Sequence, residues 1–533
     1  MSTSISPRIP LESYEWALRH LELEGDTDLL PPLFEIEAMR FGWAALAEAL
    51  RTLDVSTYEW SGGRRFIIPK EAYAFRAATQ LDPLDSLILA AMIYEHGDAL
   101  EKCRIPSAER RVFSYRFAPS ADGRFFSDPN AWHSFWSHSL NQARRPEVGF
   151  VVVADIVDYY GQVYHHVLEN QIRRAGLPAP VWGALKSLIG GLTQGVSRGV
   201  PVGPHAVHLL AECALTPSDE SLRARGINFC RYVDDHHIFC KTEQDAHIAL
   251  QQLAAVLDAQ QQLTLQRQKT RVLSAEEFQA LALEMLVDRP INKAESELLA
   301  VIKEHSDGDP YATFSLSSLE EDELEKVSAE RLEPLLRFYL ERVPVDYSRI
   351  RWLLRRLAQC GAPGAVPFVL DHVNGLLPAL GDVVRYVMRA SPNYEGPWPD
   401  AGDALVKALE HPVIAHSDYM RVVLVNLFAR VPELDHVHKL TAAYSTAPPA
   451  VRREIVLAAA EAGEAAWLKE RKAEYDGGDR WLARAVLAGD GQLPGDEGEV
   501  WLKRKRKGMS ALEQLVAQWA LGNATIKPGQ LQL

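Results

Sequence analysis

The stretch Arg231-Tyr232-Val233-Asp234-Asp235-His236 constrains this chain more than any other. Ile227, Phe229, Tyr232 and Val233 precede or surround the acids, and Ile238 and Phe239 follow. That pattern predicts a β-hairpin with both carboxylates at its tip. Adjacent ionised carboxylates repel, and a divalent cation is the usual partner that makes them tolerable. Taken alone, an Asp-Asp pair reads more simply as a solvated turn, because turns favour Asp. Its surroundings change that weighting.

Upstream, Val151-Val152-Val153-Ala154 reads as a buried strand that delivers Asp155 at or near its end. An acid leaving an apolar strand is costly to bury unless it is paired or metal-bound. Asp158 has a simpler reading, as N-cap of a helix expected from about Val163 to Ala175, whereas Asp155 sits too early for that role. Between the two acid sites lies Gly199-Val200-Pro201-Val202-Gly203-Pro204-His205-Ala206, a shaped loop before an apolar helical run from Val207 to Leu215. Such loops are common singly. The order acid strand, Gly-Pro loop, acid hairpin is far more specific.

This series resembles motifs A, B and C of the reverse transcriptase palm. Asp155 matches the motif A aspartate, Gly199 to Pro204 the motif B loop, and Tyr232-Val233-Asp234-Asp235 motif C; Leu263-Thr264-Leu265 and Lys269-Thr270 resemble motif D. The match covers roughly residues 60–275. It implies two-metal nucleotidyl transfer, with Asp155 and Asp234 bridging two Mg²⁺ ions (Mn²⁺ as a substitute), Asp235 contributing less directly, and Lys269 protonating pyrophosphate. Tyr160, five residues after Asp155, matches the aromatic that blocks a ribose 2′-hydroxyl, so the substrates implied are dNTPs. Without the resemblance it is a core aromatic. Arg64-Arg65-Phe66-Ile67-Ile68-Pro69-Lys70 and Phe75-Arg76 resemble the fingers hairpin, with Arg76 first and Lys70 second as triphosphate clamps. A solvated charged hairpin serves equally well for Lys70, Arg64 and Arg65. Gly203 and Pro204 complete the substrate-binding set, where loop backbone can approach the nucleotide.

The finer resemblance is to bacterial abortive-infection and defence-associated reverse transcriptases. Val112-Phe113-Ser114-Tyr115-Arg116 after a long helical segment from Pro83, Tyr159-Tyr160 followed by Val163-Tyr164-His165-His166, and Val202 before Gly203 carry it. No Val-Thr-Gly of a retron thumb follows Lys269, and HNH, integrase, RNase H and maturase-like zinc patterns are missing.

From about residue 285 the strand signals vanish. Amphipathic helices are expected at Glu320–Leu340 (with Pro334 as a kink or break), Tyr347–Cys360, Ala365–Leu376, Leu380–Ala390, Ala401–Leu409, Ser417–Ala429, Leu434–Ser445, Pro449–Ala462 and Arg480–Ala488. Helix pairs at roughly 35–45-residue intervals resemble degenerate HEAT-like repeats. The expected architecture is therefore α/β plus all-α: an N-terminal helical region with fingers (1–140), a palm (141–285) and a helical repeat domain (286–533).

The 533 residues are 47% hydrophobic, enough for more than one core, and 24% charged, as in soluble proteins. With no signal peptide, no membrane-spanning run and five scattered cysteines, the expected location is cytoplasmic. The net charge of −14 requires a locally basic nucleic-acid groove, since phosphate neutralisation drives such binding. The run Lys503-Arg504-Lys505-Arg506-Lys507 is usually a solvated helix face or tail, with nucleic-acid contact the lesser reading.

The resemblance implies a DNA polymerase in anti-phage defence, with a homo-oligomer expected and synthesis that in this branch is sometimes untemplated and primed from a protein hydroxyl. The DNA product would then be attached to a tyrosine: Tyr311, Tyr339, Tyr347, Tyr386, Tyr394, Tyr419, Tyr444 and Tyr475 are available, and packing is the simpler role for each. A templated enzyme with a dedicated noncoding RNA keeps the same residues. A nucleotide-binding scaffold has no need of two metals, and Tyr160 disfavours an RNA polymerase.

Overall fold

The computed structural model describes residues 8–286, 293–306, 313–493, 497–505, 508–522, 531 and 533. Tyr311, Arg506 and Lys507 lie outside the described residues. The chain forms two compact units: Met1–Thr27, Leu50–Arg64 and Thr79–Arg289 make the first, and Asp28–Ala49, Arg65–Ala78 and Pro290–Leu533 the second.

The first unit is built on a four-stranded antiparallel sheet in the order β4-β5-β3-β6, where β3 is Phe150–Ala154, β4 Phe229–Tyr232, β5 Asp235–Cys240 and β6 Arg271–Ser274. The β-branched run of β3 takes a central place, paired to β5 on one side and β6 on the other. Helices Ala131–Ala143 and Ala275–Leu286 cover one face, where Val151, Phe239 and Cys230 pack on Phe135, Trp136 and Phe278. Helix Glu243–Gln261 packs on the other. A central strand covered on both faces needs side chains that are apolar in succession, which is why β3 carries no polar residue. The register sets Ala154 opposite His236 and Tyr232 opposite Asp235, so the β3 end and the β4–β5 turn share one edge of the sheet.

Before this sheet, β1 (Gly63–Glu71) and β2 (Ala74–Leu81) form a separate hairpin. The division between units runs through it. Gly63–Arg64 and Thr79–Leu81 belong to the first unit; Arg65–Ala78 belongs to the second, where Phe66, Ile68 and Ala78 join the helical core. A linear reading of the chain could not show that regrouping, because it depends on which apolar face the hairpin tip finds.

The second unit is helical. Tyr347–Cys360 packs on Leu380–Ala390, which packs on Asp418–Arg430, then Pro449–Glu461, Arg480–Asp490 and Ala511–Ala520 in succession. Each long helix thus buries its stripe against the next. Four expectations are corrected locally. The expected helix Glu320–Leu340 is two, Glu321–Lys326 and Ala329–Leu340; the break falls at Val327-Ser328, and Pro334 runs inside the second. Ala365–Leu376 is a short helix, Val366–Asp371, followed by a 3₁₀ turn. Leu434–Ser445 is the short helix Val437–Ala442, flanked by 3₁₀ turns at Pro432–Leu434 and Tyr444–Thr446. In the first unit the Gly-Pro loop leads into a helix reaching from Val207 to Ala224, longer than expected and carrying Pro217 inside. Among the described residues no helix is long and apolar enough to cross a membrane.

Candidate active site

The hairpin predicted at Tyr232–His236 is present, with Val233 and Asp234 in its turn and Asp235 opening β5. Val233 has φ +53°, a left-handed conformation that a β-branched residue rarely adopts. Polar contacts hold it there. The Val233 N–H donates to Ser114 Oγ (2.8 Å) and the Arg231 guanidinium donates to the Val233 carbonyl (3.1 Å). Arg231 is fully buried and forks onto Asp219 at 2.7 Å through two nitrogens, while its third reaches Glu212 at 2.8 Å. Glu212 also accepts from Arg104 (2.8 Å) and Ser114 Oγ (2.5 Å). Burial works against the Arg231 charge, but Asp219 and Glu212 outweigh it and hold the guanidinium above its ordinary pKa. This network beneath the turn was missed from sequence. Its signal was there: charged residues inside apolar runs, Glu212 in the helix and Arg231 ahead of the acids.

Asp155 follows β3 directly and is buried. Its carbonyl accepts from the Gln266 N–H (2.7 Å), and Val157 N–H donates to the Thr264 carbonyl (2.9 Å), so the segment before β6 is laced to it. That lacing delivers Lys269, whose Nζ lies 3.0 Å from Asp155 Oδ2. Carboxylate oxygens of Asp155, Asp234 and Asp235 all lie within 4.8 Å of one another. Burial first, then the charges of Asp234 and Asp155, raises the Asp235 pKa to about 7. Burial opposes the Lys269 charge, yet the hydrogen bond and charge of Asp155 raise its pKa, with Asp235 and Asp234 adding to the effect. Three crowded carboxylates with hard oxygen donors fit a divalent cation, which would relieve the repulsion registered at Asp235. His236, neutral because burial lowers its pKa to about 4, donates through Nδ1 to the Asp234 carbonyl (2.9 Å).

Tyr160 lies on the short helix Tyr159–Gln162, half-buried, close enough to Asp234 for that charge to act on its hydroxyl. The hydroxyl is 2.6 Å from His208 Nδ1, and the His208 ring stacks on Tyr115 with centroids 4.0 Å apart. Its neighbour Tyr159 is core, bonded to the Ala211 carbonyl. The Tyr160 carbonyl accepts from the Val200 N–H (2.8 Å), which joins it to the Gly199–Pro204 loop. Gly203 has φ +134°, and a Cβ there would collide with the Thr79 carbonyl. Only glycine lets the loop approach β2 so closely. Asp158 corrects the sequence reading: it stands at the N-cap position of Tyr159–Gln162 in the left-handed region, and its side chain makes no cap hydrogen bond. The helix expected from Val163 begins at His165.

The structure thus brings Asp155, Asp234, Asp235 and Lys269 together, and ties Tyr160 to the loop of Gly203 and Pro204. Lys70 and Arg76 belong instead to the second unit, both exposed on the β1–β2 hairpin. The Lys70 carbonyl accepts from Arg351 (2.5 Å), and the charge of Arg76 acts on Arg351 and Tyr419.

Residues 103–285 match the family model described as "Reverse transcriptase (RNA-dependent DNA polymerase)". The chain therefore carries a reverse transcriptase domain, the domain of an RNA-directed DNA polymerase, together with a helical unit. Solved structures similar to it include a telomerase from Candida albicans in complex with a TWJ fragment of telomeric RNA, 13% identical over 68% of this chain and 66% of that one, TM-score 0.30. Another is apo telomerase from Candida tropicalis, 11% identical over 80% of this chain and 70% of that one, TM-score 0.31. The chain spans just under two thirds of the first of these. No curated protein sequence matches it.

Proposed function

We propose that the chain polymerises dNTPs by two-metal nucleotidyl transfer at Asp155, Asp234 and Asp235, in bacterial anti-phage defence of the abortive-infection type. The three carboxylates converging within 4.8 Å, with Lys269 beside them, carry the reading. Two bound Mg²⁺ ions would supply Lewis acidity at the attacking and leaving oxygens. Asp155 directly follows β3 and Asp234 lies in the β4–β5 turn, and the β3–β5 pairing brings these two chain positions to the same end of the sheet. Lys269 is positioned to move a proton at the departing pyrophosphate. Tyr160 bars a ribose 2′-hydroxyl, and Gly203 and Pro204 shape the loop for the nucleotide.

The serial packing of helices after Tyr347 supports a HEAT-like repeat following the palm. Within this proposal synthesis is untemplated and primed from a tyrosine hydroxyl, the protein is a homo-oligomer, and five cysteines without disulfides fit a cytoplasmic location. A second reading, templated synthesis on a dedicated noncoding RNA, draws support from the family description of residues 103–285.

Purified protein incubated with Mg²⁺ and labelled dNTPs, without template or primer, tests the proposal beside Asp234→Ala. Label that stays with the protein until proteolysis, and is absent in the variant, supports protein-primed synthesis. Label that requires co-purifying RNA and is lost after RNase pretreatment supports the templated enzyme. No incorporation under either condition rejects polymerase activity.

A further inference from the structure

A second group of metal-type donors lies in the first unit, apart from the three aspartates: His20, Glu24 and His205. His20 and Glu24 sit four residues apart on one face of helix Leu11–Glu24, and His205 follows directly on Gly203-Pro204. One ligand atom of each lies within 4.8 Å of the other two. Glu24 Oε2 is 3.5 Å from His20 Nδ1 and 3.8 Å from His205 Nδ1. Donors bound to a tetrahedral ion at about 2.0–2.2 Å stand about 3.4 Å apart, so the set needs only small movements to close.

Two features separate this group from a chance surface cluster. His205 Nδ1 is buried and makes no hydrogen bond. The His20 ring is almost wholly buried and clamped, parallel to Trp16 and edge-on to Phe125 and to the His205 ring. His20 Nδ1 is also 2.8 Å from the Gly123 carbonyl, a contact that metal binding through Nδ1 would replace.

We propose that His20, Glu24 and His205 form a site for a first-row transition cation, Zn²⁺ foremost, that fastens the Gly-Pro loop to helix Leu11–Glu24. Two imidazoles and one carboxylate suit Zn²⁺, Co²⁺ or Ni²⁺ and not the oxygen-loving Mg²⁺. The loop already leans on this region: His205 N–H donates to the Asp26 carbonyl (3.2 Å), and Thr79 N–H donates to the Val202 carbonyl (2.7 Å). An ion here would add a side-chain tie between the loop and helix Leu11–Glu24. The proposal stands independently of polymerase activity, because its readouts are binding and stability.

Full-length protein, purified without a polyhistidine tag and stripped of metal, is titrated with Co²⁺ in excess Mg²⁺, then with Zn²⁺. One equivalent of Co²⁺ with visible d–d absorption, displaced by one Zn²⁺, is expected, with a Zn²⁺-dependent rise in Tm. Glu24→Gln and His205→Asn should each weaken binding about tenfold or more and remove that rise. Glu24 is at the solvent edge of its helix, so Glu24→Gln keeps the test open should a histidine variant misfold. Absence of stoichiometric uptake overturns the site, as do unchanged affinities in both variants. Loss of binding in Asp235→Asn but not in Glu24→Gln would place the ion on the aspartates and overturn it equally. A simple ion pair between Glu24 and protonated His205 predicts the first of these failures.

Discussion

Among the described residues each unit buries an ionic network of arginines and carboxylates, and the two are built from the same chemistry. In the first unit Arg231 is held by Asp219 and Glu212, with Arg104 and Ser114 completing the set. In the second, Arg453 donates to Glu35 (2.8 Å) and Glu454 (2.5 Å), Arg484 donates to Glu35 (3.0 Å), and Asn426 donates to Glu454 (2.8 Å). Burial pushes against the Glu35 charge, but Arg453 and Arg484 outweigh it and hold its pKa below the usual carboxylate range. The difference lies in what the fourth contact reaches. Arg231 reaches the carbonyl of Val233, inside the turn that carries the acids; the hydrogen bonds of Arg453 and Arg484 to Glu35 and Glu454 end on helices. One network sets a backbone conformation and the other joins helices. Buried ion pairs are weak evidence of net stability, so a positional role is the better account of the first.

The largest effect belongs to the acids themselves. Asp234→Ala should reduce nucleotide incorporation to the level of a no-enzyme control while leaving Tm within a few degrees of the parent, since Arg231 and Ser114 hold the turn through the Val233 backbone. A Tm collapse would show that the turn acids are structural.

Next come the arginines. Arg231→Met and Arg453→Met each strand buried carboxylates, and each should cost about 3–5 kcal/mol in urea unfolding. The comparison is sharpened at permissive temperature, where Arg231→Met should have lost incorporation and Arg453→Met should keep it. Equal loss of activity in both would erase the distinction.

Buried acids with no cationic partner among the described residues should behave differently from either network. Burial raises Asp26 to about 7, and burial together with the charge of Asp82 raises Asp85 to about 7. Their folded pKa values exceed the unfolded ones, so the stability they permit is full below about pH 4 and falls as pH rises through 7, by about 2–4 kcal/mol for each group. Urea unfolding across that window should show the slope, and Asp85→Asn should flatten it. A slope unchanged in Asp85→Asn would assign it elsewhere.

The smallest effect concerns Tyr160, whose partner His208 sits on the same helix, Val207–Ala224, as Glu212 and Asp219. Tyr160→Val should lower dNTP-over-rNTP discrimination by about 10–100-fold, and Tyr160→Phe should leave it intact. If Phe behaves like Val, the hydrogen bond to His208 governs selection rather than the ring.

The acid strand, the acid hairpin and the run of helices were legible in the sequence because each rests on a local pattern: β-branched succession, alternation about a turn, or helical spacing. Asp155 and Asp234 could be placed together from motif order, and Lys269 from the resemblance of Leu263-Thr264-Leu265 and Lys269-Thr270 to motif D. What stayed illegible depended on partners far away. Phe66, Ile68 and Ala78 carry an ordinary hairpin pattern, and nothing local says they join helices hundreds of residues later. Arg231 was visible as a letter in a motif and Glu212 as a charge inside an apolar run, but their pairing, with Asp219 beside them, depends on the fold that turns them inward. Asp158 shows the opposite failure, a residue type favoured at N-caps placed at one without capping.

Val233 carries a consequence for how this site can change over generations. A β-branched residue at φ +53° is tolerated only while Arg231 and Ser114 grip the peptide on either side. Glycine at 233 would relax that dependence, since it populates such angles freely. Substitutions at 231 that are lethal beside valine should become survivable beside glycine, and the order in which the two positions mutate would decide which lineages persist. The turn is in that sense historically contingent: its valine determines whether its arginine can ever be replaced.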